Sequence, residues 1–83
     1  MNEKETAEII RKDLILAMQE DNKLYGFSIP LNHEIIQNLN IDLLIKELKK
    51  IDLFADYQKN VKHHRYSKEQ KNSLMVSTKS FNN

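Results

Sequence analysis

The side chains best suited to chemistry in this sequence are basic, and they fall in two places. Lys46, Lys49 and Lys50 follow the polar start Asn40-Ile41-Asp42-Leu43. The stretch from Lys59 to Lys71 carries Lys62, His63, His64, Arg65 and Lys68, with Tyr57 and Tyr66 interleaved. Clustered Lys and Arg neutralise phosphates, and aromatic rings among them can stack on bases. The pattern points to a polyanion, nucleic acid before others. An unperturbed histidine titrates near pH ~6.5, so His63 and His64 would make part of the patch sensitive to pH.

With His33, the histidine pair also raises a zinc site. Neighbouring side chains diverge by about 180° on a strand and about 100° on a helix, so His63 and His64 do not easily face one ion. No Cys is present to add a thiolate. We expect neither metal nor cofactor. Ser28 lies in no nucleophile-elbow pattern, and Gly26, the only glycine, makes no phosphate loop. Glu20-Asp21 falls at a predicted helix end, open to water, which suits no general acid and base pair. The expectation is a binding protein and not an enzyme.

Length and composition narrow the fold that positions these residues. An 83-residue chain with 40% apolar residues and no Cys suits one small domain without staples. One Gly and one Pro supply little turn chemistry for an all-β fold, which makes helices the default. The acidic start Met1-Asn2-Glu3-Lys4-Glu5 has no apolar core of a secretion signal, and the longest apolar run, Leu14 to Met18, is far short of the ~20 residues of a membrane span. We expect a cytoplasmic protein that meets no membrane. The bias towards Lys, Asn and Ile matches an AT-rich genome, such as that of a low-GC bacterium, its phage or a mobile element.

The net charge of +1 hides a division. Residues 1–56 hold seven basic and eleven acidic side chains, net −4, and residues 57–83 hold six basic and one acidic, net +5. This reads as an acidic helical core, 1–56, followed by a basic C-terminal segment, 57–83, partly flexible or ordered on binding. The basic segment meets either a partner polyanion or the chain's own acidic body.

Hydrophobic spacing predicts the elements. Ala7, Ile10, Leu14, Ala17 and Met18 share one arc of a helix from Glu3 to Glu20, with Asn2 and Glu5 as its capping pair. Tyr25, Phe27 and Ile29 alternate into a short extended stretch before Pro30. Asn32 caps a short helix carrying Ile35, Ile36 and Leu39. Asn40 caps a longer one on which Ile41, Leu44, Ile45, Leu48 and Ile51 repeat at helical spacing. Phe54 completes the predicted core. The Asp56 and Gln58-Lys59-Asn60 stretches predict turns. Val61 to Tyr66 reads as a strand. Ser67 with Gln70 reads as the start of a helix reaching Val76, although Leu74, Val76 and Thr78 also alternate as a strand would.

The predicted fold is mainly α: a small single domain of three to four helices, helix-turn-helix-like, with at most a short β-hairpin as a wing and a basic C-terminal tail. The layout of helix, short helix, turn, helix and hairpin resembles a winged helix-turn-helix. The resemblance implies that the Asn40–Lys50 helix meets DNA, with Asn40, Asp42 and Leu43 towards base edges and Lys46, Lys49 and Lys50 towards phosphates. The basic stretch would follow the backbone as a wing or arm. The alternative is a helical protein-interaction module, an inhibitor, antitoxin or phage-encoded effector. Its anchors would be Ile9 and Leu16 on the second face of the first helix, and Leu74, Met75, Val76 and Phe81 in the polar tail. Ile9 and Leu16 would be covered by the C-terminal segment or form a homodimer contact.

Leu44 and Leu48 are the centre of the cleanest stripe. Replacing either with Ala should lower the unfolding free energy by about 2–5 kcal/mol, and wild-type thermal stability in either variant would place the core elsewhere.

Overall fold

Two asparagines start the two helices, as their spacing predicts. The computed structural model describes residues 1–61 and 71–81. Helix α1 spans Glu3–Glu20, and the Asn2 side chain accepts a hydrogen bond from the Glu5 amide at 2.8 Å. Helix α2 spans Ile41–Lys50, and the Asn40 side chain accepts from the Leu43 amide at 3.1 Å. Each cap satisfies one of the amides that a helix start leaves without an internal partner. The starts are also tied together: the Asn40 amide donates to Glu3 Oε2 at 3.0 Å.

Three strands complete the domain: β1 Gly26–Pro30, β2 Phe54–Val61 and β3 Lys71–Ser77. They form one antiparallel sheet in the order β1-β3-β2, so the last strand is central. Rows across the sheet run Phe27–Val76–Ala55 and Ile29–Leu74–Tyr57 on one face. All but Tyr57 in those rows are buried in a single cluster with Ala7, Ile10 and Leu14 of α1 and Leu44, Ile45 and Leu48 of α2. Both helices therefore cover the same face of the sheet. The other face carries Ser28, Ser73, Met75, Ser77, Phe54 and Asp56.

The mainly α expectation is corrected by this arrangement. Among the described residues, two helices and a three-stranded sheet make an α+β fold, in place of the three to four helices and the helix-turn-helix layout expected from the sequence. The predicted short helix at Asn32–Leu39 is a run of turns, with bonds such as His33 amide to Pro30 carbonyl and Leu39 amide to Ile36 carbonyl. So short a segment does not repay helix nucleation, and buried Ile36 pins it to the core instead. The predicted helix reaching Val76 is a strand over Lys71–Ser77. Leu74 and Val76 both have no exposed surface. Residues two apart lie on opposite sides of a helix but on one face of a strand, so only the strand buries both. The turn predicted at 56–60 is β2 itself, an edge strand in which Asp56, Gln58 and Lys59 remain in water. Phe54, placed in the core by sequence, is 42% exposed on the outer face. The 56/57 boundary falls inside β2. Residues 62–66, and the cap predicted at Ser67 with Gln70, lie outside the described residues. Among the described residues no helix is long and apolar enough to cross a membrane.

Gly26 matters for closeness and not for an unusual backbone angle, since its φ is not positive. It faces Ser77 across the β1–β3 ladder, and a Cβ on it would lie 2.6 Å from the Val76 carbonyl oxygen. Backbone gives way less easily than a side chain. Gly26→Ala should cost about 1–3 kcal/mol of stability, read as a lower thermal midpoint. An unchanged midpoint would mean that β1 and β3 do not approach this closely.

Candidate nucleic-acid interface

The exposed side of α2 is the first part of the candidate surface. Leu44, Ile45 and Leu48 turn into the core, and Asp42, Leu43, Lys46, Lys49 and Lys50 remain outside. Lys50 is held by Glu47 at 2.8 Å, a surface pair one helical turn apart. Lys46 and Lys49 form no ion pair among the described residues. Asp42 and the Glu3 carboxylate sit at the start of α2, where the helix dipole favours negative charge. The cations gather along the rest of the helix. Phosphate would thus be met by the lysines and not by the helix N-terminus.

A tight turn aims β2 back along this helix. Leu53 donates its amide to the Leu48 carbonyl at 3.1 Å and Asp52 donates to Lys49 at 3.2 Å. Asp52 adopts φ 67°, the left-handed residue that closes such a helix end, where Gly is the commoner occupant. Leu53 is buried in the same cluster as Leu48, the apolar contact that accompanies this motif. Phe54 then lies beside Lys49 at the end of α2, lining a common cleft. Three residues on, the Tyr57 hydroxyl donates to Asp42 Oδ1 at 2.7 Å, in the first turn of α2. β2 therefore runs antiparallel to α2, from its end back to its start.

This direction fixes where the basic connection is attached. Residues 62–70 join the end of β2 to the start of β3, and both strand ends lie on the side of the sheet next to the start of α2. A register shift between Gln58 and Val61 inserts one extra residue into β2 just before that junction. Such a bulge bends and twists a strand. Exposed Lys59 sits within it.

The predicted site residues separate accordingly. Lys46, Lys49, Lys50 and Lys59 are exposed along α2 and its neighbouring strand. Asn40 is exposed, but its side-chain oxygen is committed to the Leu43 amide. Lys62, His63, His64, Arg65 and Lys68 lie outside the described residues, and Lys71 opens β3. Among the proposed protein anchors, Leu74 and Val76 are core residues, which removes them from any surface. Met75 is half-buried on the outer face, with its sulfur 3.3 Å from Ser28 Oγ. Phe81 is exposed, edge-on to Phe54 at 6.4 Å between ring centres. Ile9 and Leu16 are exposed, Leu16 at 58%. The described parts of the C-terminal segment, residues 57–61 and 71–77, enter the sheet and leave both side chains exposed. No group among the described residues gathers the His, Asp and Glu a metal needs, and His33 Nδ1 accepts from the Ile35 amide in its turn.

Sequence reasoning missed two features. One is Tyr57 as a clamp between β2 and α2, a bond that only the antiparallel packing creates. The other is an aromatic edge, where Lys79 Nζ lies 4.9 Å from the centre of the Tyr25 ring, near the Phe54–Phe81 pair. Its members are scattered in sequence and carry no common spacing.

The Asp42 carboxylate, accepting the phenol's hydrogen bond, raises the Tyr57 hydroxyl above its ordinary value of 10.0, with lesser contributions from burial and the charges of Asp42 and Asp56. The fold favours the neutral phenol. Its contribution is therefore complete below the ordinary value and is lost as pH climbs through the raised one. Tyr57→Phe should flatten the fall of stability above pH ~10 without altering its slope at neutral pH, as followed by thermal melts across that range. The same alkaline slope in both proteins would show that the bond is not made.

No protein-family model, no curated protein and no solved structure matches this chain, so the functional reading rests on the geometry of α2 and the β2–β3 hairpin.

Proposed function

We propose that this protein is a small non-enzymatic nucleic-acid-binding regulator of the cytoplasm. It would use the exposed side of α2 together with the β2–β3 hairpin. One observation carries the reading: antiparallel packing of β2 on α2 attaches the basic connection beside the start of that helix. A helix with free lysines, flanked by a hairpin whose connection holds Lys62, Arg65 and Lys68 against Glu69 alone, suits a groove between two phosphate backbones. The helix would occupy the groove and the hairpin would follow the adjoining backbone.

The exposed Ile9 and Leu16 of α1 favour a second reading, contact with a protein. There the molecule would act as an inhibitor, antitoxin or phage-encoded effector, or pair with another copy. The two readings use different faces and are separable by mutation.

The test is a fluorescence titration of labelled duplex DNA over a range of salt. Binding should weaken steeply with ionic strength, and Lys46→Ala and Lys59→Ala should each reduce the logarithmic salt slope by about 1. Ile9→Ser with Leu16→Ser should leave the titration unchanged. No salt-dependent binding at low ionic strength would end the nucleic-acid reading.

A further inference from the structure

We infer that the ligand of the α2 face is B-form duplex DNA, and that Leu43 reads it by packing against the 5-methyl group of thymine. The inference rests on the nucleic-acid reading above and names the ligand that the same site takes.

Leu43 is 42% exposed in the first turn of α2. It shares a ridge with Lys46 and Lys50, three and seven residues on, nearly opposite the buried Leu44, Ile45 and Leu48. Its own amide is taken by the Asn40 cap, so the backbone that carries it is fixed. The chain thus holds one apolar side chain on an otherwise polar and cationic ridge, at the end of the helix that Tyr57 of β2 reaches.

The first turn of α2 itself offers phosphate no cation. Glu3 Oε2 is bonded to the Asn40 amide, and Asp42 precedes Leu43. Two carboxylates there repel the backbone, whereas Lys46 and Lys49 further along attract it. The start of α2 therefore suits the interior of a groove and its flank suits the walls. In the major groove of B-form DNA the one apolar group on a base edge is the thymine methyl, and the groove is about 12 Å wide, enough for a helix. Uracil lacks the methyl, and the major groove of an RNA helix is too narrow to admit side chains. An apolar reader between cations thus selects DNA over RNA and thymine over the other bases.

The experiment uses the full chain. Duplexes are selected from a random DNA pool at low salt, and the tightest is resynthesised with deoxyuridine replacing thymidine one position at a time. Pairing is kept and only the methyl is lost. Wild-type protein should lose about fourfold in affinity at one or two positions, the value of one buried methyl group. Leu43→Ala, which leaves the core intact and favours helix, should bind the thymine duplex more weakly and be indifferent to uracil at those positions. An RNA duplex of the same sequence should compete poorly. If wild-type protein binds with salt dependence but ignores every uracil, or if Leu43→Ala keeps the same uracil loss, the inference fails and the nucleic-acid reading stands. Absence of binding to every duplex removes both.

Discussion

The fold depends on its last strand. β1 and β2 run in the same direction and do not touch as neighbours, because each pairs only with β3. Leu74 and Val76 supply the middle of both inward rows, and neither exposes any surface. Without residues 71–77 there is no sheet, and the apolar stripes of α1 and α2 face nothing but each other. Helices of such length are marginal alone in water. The bond from Thr78 to the Tyr25 carbonyl closes a loop of more than half the chain, and contacts of that span slow folding. Removing residues 57–83 would therefore destroy the core along with the charge, and a truncation after Tyr66 would report on folding before it reported on binding.

That dependence also explains how the charge is arranged. β2 and β3 pair with each other, so the end of β2 and the start of β3 lie at the same end of the sheet. The turn at Asp52 and the Tyr57–Asp42 bond then determine which end: the one beside the start of α2. The sequence between the strands, residues 62–70, is polar and basic, whereas β2 and β3 on either side are constrained by packing. The same segment of chain is thus a core element in its strands and a carrier of charge between them. Reading 57–83 as one basic tail merges these two roles.

Helices were legible where a cap and a stripe agreed. Asn2, Asn40 and the repeats at Ala7–Ala17 and Ile41–Leu48 lead to α1 and α2, because local hydrogen bonds and one buried face decide a helix. Strands were less legible because their evidence is elsewhere in the chain. Ala55 gains its meaning from Val76 and Phe27 across the sheet, and Asp56, Gln58 and Lys59 look like a turn until their position on an edge is known. Leu74 and Val76 alternate, but the Ser67–Gln70 spacing points equally well to a helix. For the candidate surface, residue types were readable and adjacency was not. Lys46 and Lys49 could be placed outside on a wheel, but that β2 runs back to the start of α2 depends on the direction in which it leaves the helix.

The net charge takes on a different sense in this geometry. The Lys50–Glu47 ion pair lies within one helix, and Lys46 and Lys49 form no ion pair among the described residues. A body of net −4 bearing a hairpin segment of net +5 is strongly polarised although its total is +1. On the proposed reading, such a molecule approaching a nucleic acid is turned by the field before contact, cationic side first. The acidic side has a further effect. It disfavours the scattered, orientation-free binding that a uniformly basic protein of this size would show. Polarity therefore favours one docking orientation over raw affinity, and that orientation directs the apolar Leu43, set among carboxylates and lysines, into the groove where base edges are exposed.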